Sequence, residues 1–206
     1  MPTGPTAPAV ADEGLDLSIS PSRANRQAFA LALLLLALLG GAFLAVAPTD
    51  RAALLPAWSA GSALVFLGCL ALGIAAHEGL HALAWAAFGR IPLRRVRFGF
   101  SARALAPYAH VLEPMTARAY RLGAAMPAIV LGVLPYGWGT VTGHVGLALY
   151  GMVFVFAAAG DLLVLWQMRR VDAQAIVRDH PARVGCIVVR PAGLPDPSEE
   201  HRPWDE

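Results

Sequence analysis

Hydrophobic and polar positions divide the chain into four long apolar runs separated by short polar stretches. Residues 1–27 mix Pro, Thr, Ser, Asp and Glu without apolar periodicity, so they cannot bury enough surface to order themselves, and a disordered tail is predicted there. Ala28 to Ala47 then carries no charge. At about 1.5 Å per residue it is long enough to cross a hydrocarbon core of about 30 Å. Ala45-Val46-Ala47 imitates a signal-peptidase site, but the polar stretch before the run and the run itself are too long for a signal peptide, which predicts a retained first span. Further spans are expected over 59–88, 122–141 and 145–167. The second is overlong, and therefore tilted or protruding. Only Thr142-Gly143-His144 separates the last two, which predicts a tight helical hairpin.

The interfacial loop 90–120 has a different period. Val96, Phe98 and Phe100 alternate with Arg95, Arg97 and Gly99, the period of two of a strand. A partner around Tyr108 to Leu112, after the turn-like Ser101 to Pro107, would complete a hairpin; an irregular amphipathic loop on the headgroups is the alternative. The expected fold class is an all-α polytopic membrane protein with about four transmembrane helices and a small β-hairpin-like interfacial insertion between the second and third. One domain is expected over 28–189, followed by a disordered tail over 190–206.

Composition agrees: 57% of the 206 residues are hydrophobic and 15% charged, with a mean hydropathy of +0.55, far above a soluble globule. The basic residues are all arginine and lie unevenly. Arg23 and Arg26 precede the first span, and Arg90, Arg94, Arg95, Arg97, Arg103, Arg118 and Arg121 lie between the second and third. Arg169, Arg170, Arg178 and Arg183 follow the fourth, against Arg51 alone on the other side. The positive-inside rule then puts both termini in the cytoplasm of a cell-membrane protein, with the Arg90 to Arg97 face gripping anionic lipid headgroups. A formal charge of +2 gives no nucleic-acid footprint. Cys69 and Cys186 make neither a disulfide framework nor a cysteine zinc site. Trp58, Trp85, Tyr108 and Trp138 read as interface anchors, and Pro127 and Pro135 as kinks in the third helix.

Between Ala52 and Val171 the only acidic residues are Glu78, Glu113 and Asp161. Ionisable groups at bilayer depth are costly, so each is a functional candidate. His77-Glu78-Gly79-Leu80-His81 is a His-Glu-x-x-His motif, and a spacing of four puts both imidazoles on one helix face with Glu78 beside them. A catalytic zinc takes three protein ligands and leaves a position for water. Asp161 is the expected third ligand, because His81 lies nine residues before Arg90 and Asp161 eight before Arg169, about 12–14 Å from one boundary in each case. His110, Glu113 and His180 compete for that role; His144 lies too far along its helix. Gly160 with Ala157 to Ala159, and Gly73 and Gly79 on the second span, are expected to allow close helix approach. Hydrogen bonding that merely fixes helix packing is the plain alternative for the whole set.

Ala76-His77-Glu78-Gly79-Leu80-His81-Ala82, Tyr120-Arg121-Leu122 leading through Pro127, Ala159-Gly160-Asp161 and Asp179-His180-Pro181 resemble the DUF3267 family of bacterial membrane proteins, described as zincin peptidases, over about Leu64 to Val189. More distantly the order of parts is similar to site-2 proteases, in which a His-Glu-x-x-His helix precedes a β-rich loop and a later helix supplies an aspartate. Carried over by position, that resemblance implies His77, His81 and Asp161 as ligands of Zn2+ and Glu78 as base. The departure is the context Gly160-Asp161-Leu162, where site-2 proteases have Asn-Pro or Leu-Asp-Gly. The expected function is a membrane-embedded zinc metallopeptidase acting on a membrane-associated peptide or protein. The rivals are a zinc hydrolase of a lipid-linked amide or ester, and a non-catalytic metal-stabilised scaffold.

Overall fold

A computed structural model describes residues 14–46, 59–102, 106–111 and 113–189. The expected tails before residue 14 and after residue 189, together with Arg51, Trp58 and Arg103, lie outside the described residues. Helix α1 (Pro21–Val46) and helix α2 (Ala60–Gly89) supply the first two apolar helices. The hydroxyl of Ser59 caps α2 by accepting the Ser62 amide at 3.1 Å. At the other end Arg90 turns left-handed (φ 56°) and its amide returns to Trp85 O, so the chain leaves the helix sharply into strands β2 (Val96–Ser101) and β3 (Ala106–Val111).

The hairpin has the register Val96↔Val111 through Ser101↔Ala106, so the alternation in β2 marks a strand and its partner begins two residues before Tyr108. The Tyr108 ring lies across Gly99, where a Cβ would clash with it. Two-residue strand β4 (Met115–Thr116) leads into α3 (Ala117–Pro127), capped by Thr116 Oγ1 at 3.3 Å from the Ala119 amide.

The third apolar unit thus starts at Ala117 rather than at 122. The arginines that mark the loop in the sequence do not end it, because Arg121 Nη2 reaches out to the carbonyls of Met168, at 2.6 Å, and Val171. After Pro127 a π-helical stretch, Ala128–Val133, leads into α4 (Leu134–Thr142). Gly143, left-handed at φ 73°, reverses the chain into α5 (Val145–Ala157), as the short connection predicts. The fourth unit is bent: α6 (Ala159–Gln167) follows α5 with a 46° change of direction.

Two corrections follow. The protein is mostly helical rather than all-α, since β1 (Leu15–Asp16), β6 (Cys186–Val188), β5 (Ile176–Asp179) and β4 form, in that order, a four-stranded sheet beside the hairpin. Order also begins well before residue 28. Leu15 pairs with Val188 and Asp16 with Ile187, partners more than 170 positions away that no local pattern reveals, and α1 starts at Pro21, a residue preset for a first helical turn.

One core joins the sheet to the neighbouring ends of the helices: Val111, Met115, Ala117, Met168, Val177 and Cys186 are all buried in it. Elsewhere the helices expose Leu44, Leu64, Leu72 and Val141, large apolar side chains of the kind that suit a lipid surrounding. Among the described residues, three helical units are long and apolar enough to cross a membrane, and four if the bent pair is one span.

Candidate metal centre

His77 and His81, one turn apart on α2, face the same way with ring centroids 5.0 Å apart. Across from them the bend at the fully buried Ala158 presents Asp161 in the first turn of α6. His77 Nε2 lies 3.1 Å from Asp161 Oδ2 and His81 Nε2 lies 3.4 Å from Asp161 Oδ1. One ligand atom from each of the three residues falls within 4.8 Å of the others, an arrangement that could hold a metal ion.

The surrounding chemistry fits zinc. Two imidazoles and a carboxylate are its usual donors, and three of them leave the fourth position open. Glu78 stands beside the cluster with its carboxyl hydrogen-bonded by the backbone of Ala109 on β3, while its Oε2 is buried with no hydrogen-bond partner among the described residues. A buried carboxylate oxygen without a partner is costly unless something polar occupies the space it faces.

A shell of further contacts orients these groups. His81 Nδ1 meets Gly123 O at 2.9 Å. The His81 ring stacks on Trp85 (5.5 Å), which stacks on Tyr120 (5.9 Å) and donates its Nε1–H to Tyr120 O at 3.4 Å. Trp85 is therefore buried between the His81 ring and α3, not an interface anchor; its indole N–H is satisfied inside the protein. The hydroxyl of Tyr120 donates to Asp179 Oδ1 through a short hydrogen bond, and Asp179 Oδ2 accepts the Val111 amide at 2.9 Å and meets His110 Nδ1 at 3.2 Å.

The competing ligands are engaged elsewhere. His110 sits on Asp179, Glu113 pairs with Arg95 at 3.4 Å, and His180 Nδ1 accepts the amides of Ala182 and Arg183 in its own turn. Cys186 is buried in the sheet core, where burial first and the nearby Asp179 second push its thiol up to about 12, so it stays protonated and offers no thiolate. Close helix approach occurs at Gly73, where a Cβ would lie 2.6 Å from the Tyr150 hydroxyl, but not at Gly79 or Gly160, which have open space beside them. The bend at Ala158, rather than Gly160, gives α6 its approach.

Two participants escaped the sequence reading: the Gly123 carbonyl, which has no side-chain signature, and Asp179. The second did leave a signal, the Asp179-His180-Pro181 segment noted above without a role.

No curated protein and no solved structure matches the chain. Residues 70–176 match the family DUF3267, described as "Putative zincin peptidase". The match contains His77, Glu78, His81 and Asp161 and stops short of Asp179. The family description implies zinc, the ion that the donor set fits, and as the match spans more than half of the sequence, the chain belongs to the DUF3267 family.

Proposed function

We propose that the protein is a membrane-embedded zinc metallopeptidase that hydrolyses peptide bonds of a membrane-associated protein. The observation that carries this reading is the unpartnered Glu78 Oε2 beside three convergent ligand atoms. A structural zinc site usually closes with a fourth protein ligand and has no use for a base.

His77, His81 and Asp161 would hold the ion. When bound, zinc polarises a scissile carbonyl and brings the pKa of a coordinated water to near 7. Glu78 takes the proton of the attacking water at its free oxygen and returns it to the leaving amine. The backbone of Ala109 holds the other side of that carboxyl and fixes its aim.

In this reading the four helical units span the membrane, with both termini, the hairpin and the four-stranded sheet on the arginine-rich cytoplasmic side. A groove of about 810 Å3 between α2 and α5, lined by Val65, Leu72, Gly73, Ala76 and Tyr150 among others, reaches Ala76, the residue before His77. It gives an apolar segment a route to the centre from within the bilayer.

Extended substrate pairing with the free edge of β2 remains part of the proposal. The strand against α2 is β3, so such a substrate would lie one strand further out. Phe98→Pro should then impair cleavage with zinc content unchanged, and normal cleavage discards the pairing. The same groove and four residues would also serve a zinc hydrolase of a lipid-linked amide or ester; peptide and lipid substrates assayed in parallel separate the two.

The deciding experiment measures bound zinc for the native chain, Glu78→Gln and Asp161→Ala in detergent. One zinc per chain in the first two and its loss in the third is expected. No zinc in any, with the fold intact, reduces the motif to helix packing and ends the peptidase reading.

A further inference from the structure

His81 Nδ1 lies 2.9 Å from the Gly123 carbonyl oxygen, an acceptor that a regular helix would not leave to a side chain. In an α-helix the carbonyl of residue 123 accepts the amide of residue 127. Residue 127 is proline, which has no amide hydrogen. The next amide, that of Ala128, donates to Ala125 O. The ladder then continues with π spacing, in which the Leu134 amide donates to Ile129 O. Pro127 thus withholds the one donor that would normally satisfy Gly123, at a buried position facing α2. Gly123 also permits the contact sterically, since a Cβ there would run into the Trp85 ring.

We infer that Pro127 is a positioning residue of the metal centre: by leaving the Gly123 carbonyl free, it fixes His81 as the tautomer protonated on Nδ1. A carbonyl oxygen only accepts, so the ring nitrogen that meets it carries the proton. The neutral imidazole has one such proton, and Nε2 is left with its lone pair directed at the space shared with Asp161 Oδ1, 3.4 Å away. Backbone carbonyls commonly orient metal-binding histidines in this way, and losing the partner typically costs 10–100-fold in metal affinity. Here the carbonyl is supplied by a proline four residues along the chain. The consequence for zinc rests on the metallopeptidase reading; the tautomer is a property of the metal-free protein.

Pro135 supplies the control. It interrupts the same helical unit two turns further on, at the start of α4 and away from His81. The experiment compares the native protein with Pro127→Ala, Pro127→Ser and Pro135→Ala in detergent, after matching helical content by circular dichroism. The first two restore an amide at 127. Nitrogen-15 spectra of histidine-labelled metal-free protein, with His81 assigned through His81→Asn, should show His81 protonated on Nδ1 in the native and Pro135→Ala forms. In both Pro127 variants the proton should move toward Nε2, and zinc dissociation constants from chelator competition should rise 10–100-fold. Pro127 variants with an unchanged His81 tautomer and native zinc affinity overturn the inference. A native protein that binds no zinc overturns the metal reading instead, and the tautomer spectra still decide this one.

Discussion

Asp179 joins three elements, and removing its carboxylate should loosen the strand that holds Glu78. It lies on β5 and is 7% exposed. Its oxygens take the Tyr120 hydroxyl from α3 and the Val111 amide from β3, while His110 Nδ1 sits 3.2 Å away, partly in solvent. A hydrogen bond to a charged acceptor contributes about 1.5–3 kcal/mol net, and a buried donor left without a partner loses about as much. Two buried donors stranded by Asp179→Ala therefore cost about 3–5 kcal/mol. The half-buried His110 contact adds about 0–1 kcal/mol. Tyr120→Phe removes one donor and should cost about 1.5–3 kcal/mol. Because the pair is in direct contact, a double-mutant cycle between Tyr120→Phe and Asp179→Ala should return a coupling of about 1–3 kcal/mol. Denaturant unfolding in micelles, followed by the fluorescence of Trp85 on its Tyr120 stack, measures these values. Hydrogen exchange at Val111 locates the loss, since its amide should exchange faster in Asp179→Ala. An Asp179→Ala protein within 0.5 kcal/mol of native, with the Val111 amide still protected, would refute the joint.

Three further outcomes are expected. Gly151→Ala puts a Cβ against the Tyr136 backbone and 2.6 Å from Gly132 O; since backbone cannot rotate aside, thermal unfolding should show a loss of about 3 kcal/mol, the upper part of the overpacking range. Gly137→Ala, with nothing within 4 Å, should instead gain about 0.5–1 kcal/mol from its better helix propensity. The Cys186 thiol, raised to about 12 from a model-compound value of 9.0, contributes stability that is complete below pH 9 and is lost as the pH climbs toward 12. Melting scans should show the native protein losing ground over that window relative to Cys186→Ala, and in a Cys69→Ser background maleimide should label Cys186 only after unfolding.

The convergence of His77, His81 and Asp161 was legible because its signal is local and costly. Two histidines four apart fix a helix face, and acidic residues are so scarce between Ala52 and Val171 that matching His81 and Asp161 by depth left few choices. The long apolar helices were legible from length and apolarity. The four-stranded sheet was not, because strands of two to four residues are too short for a period and their pairings join residue 15 to residue 188. The start of α3 was misplaced for a physical reason: a charge count treats Arg121 as loop, whereas its long side chain lets the helix begin earlier while the guanidinium reaches backbone carbonyls. Trp85 was misassigned because an aromatic residue near a helix end fits an interface belt and a buried stack equally well. Pro127 was read as a kink, and from sequence alone nothing says which carbonyl a kink leaves free or what then uses it.

The two halves of α2 explain why the ionisable residues stand where they do. Between Ala60 and Leu72 no residue of the helix is buried, so this apolar half is packed far less tightly than the half that follows. Burial begins at Gly73, where the missing Cβ makes room for Phe154 and Tyr150, and continues at His77, His81, Ala82, Ala84 and Trp85. A histidine on the outer half would have no partner in hydrocarbon, which carries a cost of several kcal/mol. One turn past Gly73 the helix first meets groups that can satisfy an imidazole, Asp161 from the bend at Ala158 and the carbonyl that Pro127 leaves free. The carbonyl is available because Pro127 breaks the ladder of the third helix, which would otherwise consume it; the carboxylate of Asp161 comes from the first turn after the bend at Ala158. The break at Pro127 and the bend between α5 and α6 thus bring a free carbonyl and a carboxylate to the two histidines of α2, and under the proposed metallopeptidase reading the unburied half of α2 would leave one side of that cluster open to a substrate.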